Sequence, residues 1–438
     1  MTDNPAATRT IDPSVRRKAA LRAASSAFIG TTIEWYDYFL YGTASALIFP
    51  KVFFANLSPG VAAFASLASF SVSWLLRPIG GLIFGHFGDR VSRKGMLVIT
   101  LVTMGVSTFL IGCLPGYAQA GVLAPILLVS LRMLQGLALG GEWGGAALIV
   151  IEHAPPDRRG RYGAAVQMGV PAGLLLSTAI VSAVSTLPDA AFFAWGWRLP
   201  FLAGIVLLVV GYRLRTALEE PKVFAELRES RAQAQLPIRE VLAVAKGRTV
   251  LLALVQFACN AGYYVFTVYS GTYATDELHL PRTWVLTALM VAAAVDLVMQ
   301  PVFGAVSDRY GRRPVYILGS VFIGLWAFPF FAMFDARSQP LILLAMIGAL
   351  GVGHAATGSL NGPLYTEQFP TRMRYTGSSL AFQLSGVVTS TPAPLVAAWI
   401  VTATGSTAFV SVYLIGAAVV SVVCALALRE TRMIDINY

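Results

Sequence analysis

The feature that most constrains this chain is a recurrence. Runs of roughly 20 apolar and small residues, each long enough to cross a bilayer as a helix, return from one end to the other. They fall near 22–50, 61–84, 96–114, 122–151, 163–187, 197–215, 248–273, 284–306, 315–334, 340–366, 376–399 and 406–428. A transmembrane β-barrel alternates apolar and polar residues over segments of about ten, whereas these runs are continuous and carry the Gly and Pro that membrane helices tolerate. The expected fold class is an all-α membrane protein with about twelve transmembrane helices. Composition agrees, since 56% hydrophobic and 12% charged residues exclude an ordinary soluble domain.

The charges then orient the chain. DRVSRK, PPDRRGR, DRYGRRP and PTRMR fall in alternate loops, while the opposite loops hold little beyond Lys51, Arg282 and Arg337. Positive loops stay inside, so both termini are expected in the cytoplasm of a multi-pass inner (plasma) membrane protein. The first 22 residues, polar and basic, lack the short apolar core of a cleaved signal peptide and read as a cytoplasmic tail. The net charge of +10 is accounted for by these loops, with no aromatic-laced groove for nucleic acid. Cys113, Cys259 and Cys424 all lie in expected spans without metal-ligand spacing, and the four histidines are scattered, so no metal or cofactor is expected. No phosphate-binding loop and no Ser/His/Asp set appears, which argues against an enzyme or an ATP-driven pump. The charged segment 216–247 has apolar residues at helical spacing and reads as a cytoplasmic linker.

The chain also repeats itself. GHFGDRVSRK begins at Gly85, and GAVSDRYGRRP begins at Gly304, 219 residues later, which is half of 438. EHAPPDRRGRYG from Glu152 is echoed by EQFPTRMRYTG from Glu367. Two six-helix halves, 1–215 and 248–438, follow. An even number of spans per half gives both halves the same orientation, with a cavity between them.

These loops resemble the signature of the major facilitator superfamily. GTTIEWYDYFLYG, RPIGGLIFGHFGDR, RMLQGLALGGEWGGA, EHAPPDRRGRYG and WGWRLPFL together resemble the metabolite:proton symporter family, and FLYGTASALIFPKVFF is most similar to its shikimate permease branch. Ser92 departs from the pattern, which usually has Gly there. The resemblance implies the major facilitator fold and a gating role for Asp89, Arg90, Arg93, Lys94, Glu152, Arg159, Asp308, Arg309, Arg312, Arg313 and Glu367. The same charges also serve to fix topology.

Within the spans, polar residues stand out. Glu34 lies about twelve residues into the first run, roughly 18 Å at 1.5 Å per residue, near the bilayer midplane. Glu34, Asp37, Tyr38 and Tyr41 share one helical face. A carboxylate at that depth needs a polar cavity or a cation, and Arg77 and Arg132 are available, the latter on one helix with Gln135 and Glu142. Asp37 with Arg132 resembles the acid–arginine pair of proton-coupled sugar porters, so Asp37 or Glu34 is the expected proton carrier. A permanent structural bridge uses the same two groups. Asp296 lies 219 residues after Arg77, either facing it across the cavity or pairing locally. Gln256, Asn260, Tyr263 and Tyr264 form a polar stripe in the seventh run, and Asn361 and Tyr365 a similar one in the tenth. His354 reads as an interhelical hydrogen bonder.

The expected function is a carrier that imports a small organic acid with protons by alternating access, acting as a monomer on a small-molecule substrate within the lipid bilayer. A carrier of zwitterions such as proline or betaine is the alternative.

Overall fold

The computed structural model describes residues 13–217 and 237–434. Twelve long helices carry the fold: α1 (Pro13–Leu47), α2 (Pro59–Arg90), α3 (Arg93–Cys113), α4 (Leu123–His153), α5 (Arg159–Val184) and α6 (Arg198–Thr216), then α7 (Lys246–Glu277), α8 (Arg282–Tyr310), α9 (Arg312–Asp335), α10 (Gln339–Thr366), α11 (Thr371–Thr404) and α12 (Ala408–Ala427). Eleven of them are long and apolar enough to cross a membrane. The other, α1, spans 35 residues and carries Glu34 and Asp37 among its apolar side chains. No strand occurs among the described residues. The expected tail over residues 1–12 and most of the expected linker lie outside the described residues. The linker's last part forms a short helix, Pro237–Val244, whose Glu240 pairs with Arg372 at 2.6 Å.

The ends of the helices follow local chemistry. Ser92 caps α3, its Oγ accepting from the Gly95 backbone N–H at 2.8 Å, which gives this loop a helix stop-and-start without the usual Gly. At the matching turn, Gly311 adopts φ +106°, a conformation that an L side chain rarely takes.

Packing repeats with the sequence. The main contacts between the first six helices and the last six are α2 against α11 and α5 against α8, and these two pairs exchange under the 219-residue repeat. Within the first six, α2 lies so close to α4 that a Cβ on Gly140 would overlap the Arg77 carbonyl oxygen. Between the two sets, Gly160 and Gly304 meet backbone to backbone at the α5–α8 crossing. Small residues permit such approach where no water drives helices together. The large apolar side chains that remain exposed, such as Phe64, Leu75, Leu325 and Trp399, lie on the membrane-length helices, the surface that lipid solvates.

Among the described residues, the first six helices are not broken by π-helical turns, the one in that half, Phe192–Gly196, standing ahead of α6; the last six differ. Three of them are interrupted by π-helical turns: α7 at Val265–Tyr269 and Tyr273–Glu277, α10 at Gly348–His354, and α11 at Gly386–Ser390.

Candidate functional site

Three groups of polar residues account for most of the buried charge. The first surrounds Asp37 on α1. Its Oδ1 accepts from Thr108 Oγ1 at 2.6 Å and Gln135 Nε2 at 3.0 Å, and its Oδ2 lies 3.3 Å from Arg132 Nη1. Arg132 also donates to Gln135 Oε1 at 3.1 Å and lies 4.1 Å over the Tyr41 ring, whose hydroxyl meets Ser69 at 2.9 Å. All of these side chains are buried, so α1, α3 and α4 are joined by one desolvated network. Asp37 and Arg132 are thus a contact pair. Glu142 turns away from it, to Arg215 on α6, which also donates to the Leu97 carbonyl at 2.6 Å.

The second group lines a cavity between the two sets of six helices. On one side stand Trp35 of α1, Trp74 and Arg77 of α2, and Gln167 of α5. Opposite them are Gln256, Asn260, Tyr263 and Tyr264 of α7, His354 of α10, and Gln383 and Ser385 of α11. Arg77 is buried, with its guanidinium 3.9 Å over the Trp74 ring and 5.6 Å from the Tyr38 ring. It makes no hydrogen bond or ion pair with any described residue, and its Nε is buried without a partner. Glu34 lies within electrostatic reach of Arg77 but beyond ion-pair distance, and its Oε2 also lacks a partner. Across the cavity, Asp296 meets His354 Nδ1 at 2.8 Å and Gln300 Nε2 at 3.2 Å, so the residue that repeat arithmetic set opposite Arg77 pairs locally.

Of the residues expected to bind substrate, Arg77, Gln256, Asn260 and Tyr263 line this cavity. Arg132, Tyr38, Tyr41, Gln135, Glu142, Asp296, Asn361 and Tyr365 do not. Tyr365 supports the wall from behind, donating to Gln256 Oε1 at 2.7 Å, and Asn361 is buried beyond it with neither amide atom hydrogen-bonded. Sequence reasoning missed Thr108, Trp74, Gln167, Gln383 and Ser385. Each is an ordinary residue in an apolar run, and only the fold sets it beside a charge or the cavity.

The third group closes the end of the bundle that bears the repeated loops. Asp89 at the end of α2 accepts from the Tyr375 and Thr376 backbone N–H groups near the start of α11, at 3.2 and 2.9 Å. Asp308 at the end of α8 accepts from Gly160 and Arg161 at the start of α5, at 2.8 and 2.9 Å. Each carboxylate faces a helix N-terminus, where orphaned donors and the helix dipole favour an anion. Arg93 bonds Glu152 and the Thr371 carbonyl, and Arg374 reaches Glu152 from α11 at 3.1 Å. In the other copy, Arg312 bridges Asp308 at 2.7 Å and Glu367 at 3.5 Å.

The segment after α12 joins this closure. Thr431 donates to Glu367 at 2.6 Å, and Arg159 donates to the Ile434 carbonyl at 2.9 Å. Glu430 caps α9 through the Arg312 and Arg313 backbone N–H groups, both at 2.9 Å. Burial works against the Glu430 charge, but these N–H groups outweigh it and hold the carboxyl below its usual range. Burial pushes Glu367 up, against the pull of Arg312 and Thr431. Lys94 bonds the Thr216 carbonyl and Arg313 the Ala425 carbonyl, each within its own set of six helices. Arg90 and Arg309 are exposed, without ion pairs among the described residues.

Comparison with known proteins places this geometry. A sequence model of the Major Facilitator Superfamily matches residues 27–392 and, in a second match, 283–433. The chain is 38% identical to the shikimate transporter of Escherichia coli strain K12 over 97% of its length and 98% of the relative's. It is 40% identical to the inner membrane metabolite transport protein YhjE of the same strain, over 93% of each, and 35% identical to that strain's proline/betaine transporter, over 94% and 83%. Among solved structures, the proton:xylose symporter XylE bound to 6-bromo-6-deoxy-D-glucose superposes with a TM-score of 0.78 at 16% identity, covering 96% of this chain and 98% of that one. XylE of E. coli in its inward open conformation gives 0.60 at 16% identity, covering 95% and 97%.

Proposed function

The chain belongs to the Major Facilitator Superfamily, and from that premise we propose that it is a symporter importing a small organic acid together with protons by alternating access. The observation that carries this reading is Arg77. A guanidinium inside a membrane protein is costly, and one left without an acid, stacked on Trp74 at the wall of a cavity, is a site awaiting an anion. Its planar fork suits a carboxylate bidentately and stays charged. Gln256, Asn260 and Tyr263 opposite supply donors and acceptors for the hydroxyl or keto groups of a shikimate-like acid.

Proton coupling rests on Asp37. Thr108, Gln135 and Arg132 hold its carboxyl in this conformation, and an arrangement that parts them alters its hold on a proton. The halves 1–215 and 248–438, joined by the linker 216–247, rock about the cavity as two bodies. The tied loop ends are the cytoplasmic gate in its closed state, so the cavity's access is from the other side. The sequence of events is substrate and proton entry from outside, release of the Asp89 and Asp308 contacts, and discharge inward. The carrier works as a single chain in the inner membrane with both termini cytoplasmic.

One observation favours a second reading, a zwitterionic osmolyte. Trp35, Tyr263 and Tyr264 line the cavity that holds Arg77, and aromatic faces attract quaternary ammonium groups. One experiment separates the two. Purified protein in proteoliposomes under an inward proton gradient is offered labelled shikimate, a keto acid, citrate or betaine, with and without a protonophore. Accumulation of an acid that collapses with protonophore supports the first reading. Accumulation of betaine alone replaces it with the second, and no gradient-driven uptake removes proton coupling.

A further inference from the structure

Asp37 does not line the cavity, but a second group able to carry a proton does: His354. We infer that His354, held by Asp296, is a second proton site of the transport cycle, loaded as an anion enters the cavity beside Arg77.

The geometry is specific. His354 ends the π-helical turn of α10, and its Nδ1 lies 2.8 Å from Asp296 Oδ2. Asp296 is 1% exposed, its other oxygen accepts from Gln300, and its one ionisable partner among the described ion pairs is this imidazole. A buried carboxylate without a counter-charge is expensive, and this imidazole is the group in contact with Asp296 that can supply one. On the ring's far side Nε2 makes no hydrogen bond with a described residue, and His354 lines the cavity. The proton therefore enters and leaves at Nε2, while Nδ1–H stays on Asp296, which remains a carboxylate throughout.

The surroundings tie this proton to an anion. From α7, Tyr263 lies 4.6 Å from the imidazole, with Cys259 and Tyr264 on the same helix; α9 packs the apolar Phe322 and Ile323 against the preceding Gly353; and α5 brings the neutral Gln167 to the same cavity. The one cation sharing the cavity is Arg77, on the opposite wall. With the cavity empty, protonated His354 and Arg77 repel each other. A carboxylate between them reverses the sign, so binding the anion favours the proton, and by linkage the proton favours the anion to the same degree. The inference rests on the reading of this cavity as the path of an organic anion.

The test uses the full chain in lipid nanodiscs, labelled with 15N at its four histidines, with shikimate as probe. Wild type is expected to take up about one proton per bound shikimate at this site, with the His354 resonances moving to the doubly protonated form. His354→Gln keeps a donor for Asp296 but has no titratable nitrogen; it should lose that proton, whereas Asp37→Asn should keep it. Undiminished uptake by His354→Gln overturns the inference. If wild type shows no shikimate-dependent change in tryptophan fluorescence, the organic-acid reading is what fails, and His354 is judged on its free-protein spectra. A ring that gains its second proton between about pH 5 and 8, and no longer does so in Asp296→Asn, upholds the site; a ring that stays neutral throughout overturns it.

Discussion

At the residue scale, the two buried arginines do different work. Arg132 is already engaged with Asp37, Gln135 and the Tyr41 ring, whereas Arg77 stacks on Trp74 and makes no ion pair or hydrogen bond with a described residue. Asp37→Asn is expected to abolish uphill accumulation of substrate while leaving exchange across the membrane partly intact, since the amide keeps the network's shape but carries no proton. Normal accumulation in a proteoliposome assay would remove Asp37 from coupling. Arg77→Lys should weaken binding by about tenfold or more, because a bidentate contact is reduced to a point charge and a charge-assisted hydrogen bond contributes about 1.5–3 kcal/mol. An unchanged KM for the transported acid would show that Arg77 does not touch it. At this scale the sequence revealed charged positions but few partners. Asp37 and Arg132 were legible because acid and base in apolar runs are rare. Thr108 was not, since a threonine in a span usually bonds its own helix, as Thr108 also does to Met104 at 3.0 Å. Nor was the link of Glu142 to Arg215, 73 residues away.

At the element scale, apolar run length located most of the spans to within about five residues at each end, because the bilayer sets a minimum length for every crossing; α3, for example, was expected at 96–114 and covers Arg93–Cys113. By contrast, α1 begins at Pro13, well before its run, and α2 continues to Arg90, past the end of its run. What run length does not encode is how closely helices approach. The α2–α4 crossing is set by Gly140 against the Arg77 carbonyl, the backbone of the very residue that presents its guanidinium to the cavity. Gly140→Val is expected to lower the thermal midpoint by several degrees and to weaken substrate binding together, since α2 must move to make room. A thermal-shift assay showing no loss would mean that the crossing yields more easily than its backbone contact implies. The π-helical turns were equally hidden, since nothing in an apolar run marks where the helix takes up one more residue.

At the scale of the whole molecule, the repeat was legible in the loops, and the structure shows what it builds. Asp89 on α11 and Asp308 on α5 are the same contact made twice. If they hold one end shut, Asp89→Ala or Asp308→Ala alone leaves the other contact in place, and the double variant frees the end. In a background lacking Cys113, Cys259 and Cys424, a cysteine replacing the buried Ser379, which faces Gly144 across the closed interface, reports on this. Its thiol-labelling rate is expected to rise modestly in each single variant and by roughly tenfold or more in the double variant. Equal rates in all four proteins would mean that closure rests on helix packing alone.

The duplication nonetheless produced unlike walls. α2 and α5 face the cavity without a π-helical turn, whereas α7, α10 and α11 each contain one beside it. Such a turn holds one residue more than its neighbours, and passing it along the helix by one position swings the intervening side chain through about 100° while both helix ends stay fixed. The second wall is therefore a ratchet as well as a surface: His354, at the end of one such turn, can be re-aimed in single-residue steps without the two halves moving at all.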